Sequence, residues 1–237
     1  MHTFIVSSAV NTKYGIFHSD QRFGQSLQTI NSIRKFVPGA QIIWLEMSAE
    51  PLALRQKEKI LGGVAYLIEY SGMPEVCDYY KINDHNIVKN LTEITCFYFG
   101  LKTAYESGWL ANTERVFKLS GRYILSEFFN ITDYNNQDLF NKYVFRQKLG
   151  SQFDQSITGG VSYQFMSRLW SFDCSLVNEV LDTFLRMKQD FIDRIKIGGY
   201  IDIEHLFFKF MPPEKIIEMP VVGVSGLLGP NGERVVE

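Results

Sequence analysis

The feature that most constrains this chain is the order of patterns in its first 70 residues, which read β-α-β-α-β. Residues 3–10 (TFIVSSAV) are a short apolar, β-branched run ending in small polar residues, the pattern of a buried strand. Over 20–36 the apolar residues Phe23, Leu27, Ile30 and Ile33 recur at helical spacing. Pro38-Gly39 breaks that helix, and 40–47 (AQIIWLEM) reads as a second strand. Pro51 opens a second helix carrying Leu52, Leu54 and Ile60; Gly62-Gly63 ends it before a third strand at 64–70. Such alternation requires a mostly parallel sheet with helices on its faces. Ligands bind such sheets at the carboxyl ends of the strands. Ser7, Ser8 and Ala9, with the loop 10–22 behind them, are therefore expected at the mouth of a site.

The pattern is less regular further on. Residues 73–88 read as an irregular loop, followed by a helix over 90–107 that begins around Asn90, Thr92 and Glu93. A strand at 114–120 runs straight into Gly121-Arg122-Tyr123, and 141–147 and 161–167 read as further strands. A long amphipathic helix spans 175–195, with Leu176, Val180, Leu181, Phe184, Met187, Phe191 and Ile195 on one side. Gly198-Gly199 lead into a helix over 203–210 that Pro212-Pro213 stop, and 216–236 is strand-like and punctuated by Gly223, Gly226, Gly229 and Gly232. With no repeat or linker, one domain is the economical expectation.

Composition narrows the functional classes. The chain has 237 residues, 46% of them hydrophobic and 21% charged, enough for one well-filled core. Net charge is −2, so no basic surface supports bulk nucleic-acid binding. A local phosphate site needs only one or two well-placed cations. Cys77, Cys96 and Cys174 form no CxxC pair, which argues against a disulfide framework or a zinc site and favours a reducing, cytoplasmic setting. Cys96 and Cys174 read as core or boundary residues. The first ten residues lack a signal-peptide pattern, and no apolar run reaches membrane-span length. Peripheral docking on a membrane face is compatible with all of this.

No GxGxxG follows the first strand, and Walker A, GxSxG and HExxH sequences are absent. The informative segment is Lys118-Leu119-Ser120-Gly121-Arg122-Tyr123, where a strand leaves the sheet. Gly121 permits close backbone approach to a ligand. Arg122 supplies a permanent planar charge suited to a diphosphate, and Tyr123 a ring or hydroxyl. The plainer alternative is a tight turn with a solvated arginine.

The FKLSGRY phrase resembles the K-[IL]-[ST]-G-R-Y motif of surface-polysaccharide glycosyltransferases, including WavE-like lipopolysaccharide-core proteins. These are related to the GT-A fold of nucleotide-diphospho-sugar transferases. The resemblance implies an α/β, Rossmann-type three-layer sandwich: a mostly parallel central sheet with helices on both faces. It further implies a nucleotide-sugar half (about 1–125) and an acceptor half (about 126–237). It predicts a nucleotide-sugar donor and a glycan, lipid-linked or protein acceptor. GT-A enzymes usually carry Asp-x-Asp at this strand end to hold a divalent metal, whereas here Ser120-Gly121-Arg122 takes its place. Without those hard oxygen ligands, a metal-independent site is favoured over one using Mg²⁺ or Mn²⁺, with Arg122, alone or with Lys118, replacing the metal's charge.

A second segment, Gly198-Gly199-Tyr200-Ile201-Asp202-Ile203-Glu204-His205, resembles the glycine-rich turn and acidic pair that open a late helix in many GT-A enzymes. The resemblance assigns catalytic candidates there, with Glu204 as base on the acceptor hydroxyl and Asp202 and His205 beside it. A first-turn carboxylate is held by the helix dipole and free N–H groups and serves as a base if it reaches a bound hydroxyl. Structural alternatives are an N-cap for Asp202, an ordinary first-turn acid for Glu204 and a hydrogen-bonded, partly buried ring for His205. Arg22 is a candidate phosphate or base contact or else a surface arginine. Lys89 and Glu93 are candidate donor contacts, although Thr92 and Glu93 equally suit a helix cap. Phe97, Tyr98 and Phe99 read as core, and Arg146, Gly159-Gly160 and Arg168 carry no assigned role. Two other readings compete: a catalytically silent nucleotide-sugar or glycan-binding module, and a sugar nucleotidyltransferase. The latter's basic glycine-rich loop is represented only by Lys13 and Gly15.

Overall fold

A computed structural model describes residues 1–228 and 231–237. Gly229, one of the four glycines that punctuate the carboxyl end, lies outside the described residues. The opening alternation folds as β1 (His2–Ser8), α1 (Ser19–Phe36), β2 (Gln41–Glu46), α2 (Leu54–Leu61) and β3 (Tyr66–Glu69). Helix α2 starts three residues later than Pro51 suggests. Ala53 is extended and its N–H is taken by the Gln56 side chain at 2.8 Å, so the first turn opens at Leu54.

The middle of the chain departs further from expectation. The supposed loop contains α3 (Pro74–Tyr79), and α4 (His85–Glu106) begins well before residue 90. Asp84 is its N-cap, accepting from the N–H groups of Asn86 and Ile87 at 2.8 and 3.1 Å. Thr92 and Glu93 are therefore buried mid-helix residues and not caps. Then come β4 (Arg115–Ser120), β5 (Tyr123–Leu125), β6 (Tyr143–Arg146), β7 (Leu149–Gly150), α5 (Gln155–Thr158), β8 (Tyr163–Gln164) and β9 (Leu169–Asp173). The strand expected over 161–167 is only the two-residue β8, and β9 is a further strand beyond those expected. The chain continues with α6 (Val177–Lys196), α7 (Ile203–Phe210), β10 (Ile216–Met219), β11 (Val224–Leu227) and β12 (Arg234–Val236).

The main sheet has seven strands in the order β10-β6-β9-β4-β1-β2-β3. Strands β3, β2, β1 and β4 are mutually parallel, β9 runs antiparallel to both β4 and β6, and β10 is parallel to β6. Small antiparallel sheets β12-β11-β5 and β7-β8 flank it.

Strand periodicity sorts the side chains into two buried layers. Phe4, Val6, Ile42, Trp44, Phe117 and Leu119 pack with Ile30 and Ile33 of α1 and Ile60 of α2. Ile5, Ile43, Leu45 and Val116 pack on the other face with Ile94 and Phe97 of α4 and Phe184 and Met187 of α6. The result is the three-layer α/β architecture expected from sequence. All three cysteines are free, with Cys96 fully buried and the other two half-buried. Among the described residues, no helix is long and apolar enough to cross a membrane.

Candidate active site at the carboxyl ends of β1 and β4

Register places the site. Ser7 of β1 sits opposite Ser120 of β4, so both strands leave the sheet side by side. The Gly121 N–H then donates to the Ser7 carbonyl at 2.8 Å, drawing the two chain exits together. A Cβ at Gly121 would lie 3.1 Å from Ser8 Cβ and 3.2 Å from both the Ser7 carbonyl oxygen and the Trp44 ring. The turn is therefore packed to the limit of what glycine allows. Gly121→Ala is expected to cost about 1–3 kcal/mol through overpacking, measured as a lower urea midpoint at unchanged m-value. An unchanged midpoint would show that the turn has slack.

These exits open into a cavity of about 510 Å³. It gathers Ser7, Ser8, Ala9, Arg22, Lys89, Glu93, Ser120, Gly121, Arg122, Tyr123, Asp202 and Glu204 from four separated stretches of sequence. Two candidates are not on its surface. Lys118 is buried: its ammonium donates to the Glu93 carboxylate, to Ser120 Oγ at 2.8 Å and to the Ser167 carbonyl at 2.7 Å. All three donors are spent, so Lys118 is not available to a diphosphate and braces the floor instead. His205 is likewise fully buried, held between Asp202 Oδ1 at 2.5 Å and Ser151 Oγ at 2.8 Å. It positions neighbours and touches no ligand space.

Arg22 also differs from expectation. Although it lines the cavity, its guanidinium donates to the carbonyls of Phe17 (3.1 Å), Ala9 (3.3 Å) and Tyr14 (2.8 Å). It ties down the loop after β1. Burial, with the nearby Arg122 charge, pulls its pKa to about 10. Lys13 does not line the cavity and donates to the Tyr80 carbonyl at 2.8 Å, so this loop presents no lysine of nucleotidyltransferase type to it.

Arg122 makes no ion pair or hydrogen bond among the described residues; its guanidinium lies 5.8 Å from the Tyr123 ring centroid. Lys89 is its open counterpart, 41% exposed at the side chain and 3.8 Å from Glu204. The Glu204 carboxylate raises the Lys89 pKa against the opposing effect of its recessed position. The local potential is positive enough to register elsewhere. Burial and the charges of Lys89, Arg22 and Arg122 hold His85 below its ordinary value.

The three cavity carboxylates have distinct environments. Burial alone would raise Glu93, but the Lys118 and Lys89 ammonium groups bring it below the usual range. Asp202 caps α7 by accepting from the His205 N–H at 3.0 Å, and its bonds to His205 depress its pKa despite burial. Glu204 is the exception. Burial raises its pKa in spite of Lys89, and the neighbouring Asp202 charge adds to the effect. Its Oε1 accepts from Ser167 Oγ at 2.6 Å, while Oε2 is buried with no partner among the described residues.

Each carboxylate is engaged by a cation, a cap or a hydroxyl, and no group of three His, Cys, Asp or Glu among the described residues is arranged to hold a metal. The expected acidic strand end is Ser120-Gly121-Arg122.

Several lining residues have no role assigned from the sequence: Tyr14, His85, Phe153, Gln164, Tyr200 and Arg168. Tyr14 and His85 stack at 5.2 Å although they come from different segments. Thr92, whose sequence reading was a helix cap, lines the cavity from the middle of α4, three residues after Lys89 and one before Glu93.

Comparison with solved structures supplies the fold family. The chain superposes on the galactosyltransferase LgtC in complex with donor and acceptor sugar analogues, at 11% identity over 91% of this chain and 72% of that one, with a TM-score of 0.55. It also matches core-mannan synthase A (CmsA/Ktr4) from Aspergillus fumigatus in a Mn/GDP form, at 10% identity, 97% and 76% coverage and a TM-score of 0.50. The Q189E active-site mutant of LgtC aligns at 10% identity, 91% and 72% coverage and a TM-score of 0.51. No sequence-family model matches the chain, and no curated protein matches it in sequence. At such identities the likeness is one of fold, the GT-A arrangement of glycosyltransferases.

Proposed function

We propose that this chain is a glycosyltransferase that moves a sugar from a nucleoside-diphosphate donor to a glycan, lipid-linked or protein hydroxyl, in surface polysaccharide synthesis of the kind its KLSGRY segment resembles. The observation that carries the reading is the pairing, in one cavity, of a cation at the end of β4 with a buried acid, the cation and one acid oxygen having no partner among the described residues. Arg122 is the cation and Glu204 the acid. The acceptor oxygen attacks the anomeric carbon, the bond to the β-phosphate oxygen breaks, and the diphosphate leaves with the electron pair. Arg122 and Lys89 face the charge that develops on the diphosphate, where fixed cations in a recessed site are most effective. Glu204 takes the acceptor proton, and a pKa raised toward the operating pH makes it a stronger base than an ordinary carboxylate.

The reading is metal-independent: with Lys118 consumed by Glu93, the second charge comes from Lys89. Thermal-shift titration with UDP, GDP, CDP and ADP, with and without EDTA, tests it. A nucleotide at about 100 times its Kd stabilises by about 2.7 kcal/mol, so at least one should raise Tm, and EDTA should leave the rise intact. Absence of any shift would sink the transferase reading, whereas a shift abolished by EDTA and restored by Mn²⁺ would sink metal independence. Arg122→Ala should weaken the stabilising nucleotide by roughly 10- to 100-fold, the loss of a charge-assisted contact, while leaving the Tm of the free protein nearly unchanged. An unaltered Kd would remove Arg122 from diphosphate binding.

The missing acidic strand end favours one alternative, a catalytically silent domain that binds nucleotide sugar or glycan. Nucleotide binding with neither transfer nor donor hydrolysis across a set of acceptors would select it.

A further inference from the structure

The wall of the cavity beside Glu204 is built unlike the cationic floor. Phe153 lines it, half-buried, with its ring edge-to-face on Tyr200 at 5.3 Å and 78° and tilted against His205 at 5.7 Å. The loop that carries this ring is pinned at several points. Ser151 Oγ bonds His205 Nε2 at 2.8 Å and accepts the Phe153 N–H at 2.9 Å, and the Ser151 N–H donates to the Ser162 carbonyl at 2.9 Å. His205 is itself fixed by Asp202. The buried network at the start of α7 thus holds Phe153 in place, a preorganisation that an ordinary surface aromatic lacks.

Two amides line the same cavity. Gln152 makes no side-chain hydrogen bond among the described residues. Gln164 is buried and spends one N–H on the Gly150 carbonyl at 3.2 Å, and its side-chain oxygen has no hydrogen bond among the described residues. Thr92 on the floor is 3% exposed, and its Oγ1 has no partner among the described residues. Buried polar atoms without partners are rare and call for a ligand or solvent to satisfy them. The cavity therefore combines one rigid apolar ring with uncharged donors and acceptors and with Glu204, whose Oε2 has no partner among the described residues. A pyranose has the matching chemistry: an apolar C–H face and a rim of hydroxyls that both donate and accept. A lipid tail would leave the amides unpaired.

We propose that the acceptor is a saccharide, bound with the face of a pyranose ring on Phe153 and its hydroxyls on Gln152 and Gln164, so that one hydroxyl meets Glu204. This rests on the transferase reading for its chemistry, although the subsite is testable without turnover. Saturation-transfer NMR with the methyl α- and β-pyranosides of glucose, galactose and mannose, on the intact chain with and without UDP and GDP, should show transfer to ring C–H protons of at least one glycoside. Phe153→Ala should weaken that glycoside by about tenfold or more, Phe153→Tyr should retain it, and Gln152→Ala should weaken it several-fold, all without changing nucleotide affinity. If Phe153→Ala fails to fold, the tyrosine and Gln152 variants carry the test. Binding of no pyranoside, or equal binding by wild type and the folded alanine variants, overturns the proposal. Pyranoside binding without any nucleotide binding would overturn the transferase reading and leave the subsite standing. Nucleotide binding without pyranoside binding would do the reverse.

Discussion

Lys118→Met is expected to destabilise the protein by about 3–5 kcal/mol, because it leaves the Glu93 carboxylate charged, buried and unpaired. For a chain of 237 residues that is a fall in Tm of roughly 6–20 °C. The side chains are 2% and 8% exposed, so neither solvent nor salt replaces the lost partner. Lys118 also bonds Ser120 Oγ and the Ser167 carbonyl, which joins α4, the end of β4 and the segment before β9 through one ammonium. Pairing the substitution with Glu93→Leu removes the orphaned charge, and the double variant should recover most of the loss. Recovery should stay incomplete, since the Ser167 carbonyl still lacks its donor. The measurement is a double-mutant cycle in urea. A cost below about 1 kcal/mol for Lys118→Met, the value of a solvated pair, would show that this ion pair does not brace the floor.

The same pair shows how much of the site the sequence could disclose. KLSGRY marks the end of β4 correctly, because a strand that stops at a glycine leaves a local trace. The direction of Lys118 leaves none: it alternates with Phe117 and Leu119, but its burial depends on Glu93 arriving from α4, 25 residues earlier. Arg22 is a similar case, where loop carbonyls brought together only by the fold consume its donors. The first 70 residues were legible because helical and strand periods are local properties. β9 was not, since LWSFD is an interior strand of the sheet with four of its five residues buried, and so shows no alternation. The early start of α4 was missed because its cap, Asp84, sits among polar residues that also suit a loop. The Asp202 cap is legible, because a cap is set by the residues directly after it. The wall around Phe153 leaves no local trace, because the ring meets Tyr200 and His205 only after the chain has passed through α5, β8, β9 and α6.

Glu204→Gln should reduce transfer by about 10²- to 10⁴-fold, the usual worth of a general base, while nucleotide affinity stays within about twofold. In the wild type the rate should climb with pH through an apparent pKa above the ordinary carboxylate range, because burial raises Glu204 over the opposition of Lys89. The variant should lack that limb. Stability gives a second reading that needs no substrate. A carboxyl raised on folding holds its proton in the native state at pH values where the unfolded chain has released it. Its contribution is therefore full below the unfolded value and is lost as pH rises through the folded one. Above that window the native state bears the whole cost of a buried carboxylate whose Oε2 has no partner among the described residues. Glutamine has no such penalty, so Glu204→Gln should melt higher than wild type above the window and close to it at pH 4. Equal Tm differences at both pH values would mean that Glu204 is not raised. Unchanged turnover would remove it as the base and move the search to the other cavity acids, of which Asp202 is committed to capping α7 and Glu93 to Lys118.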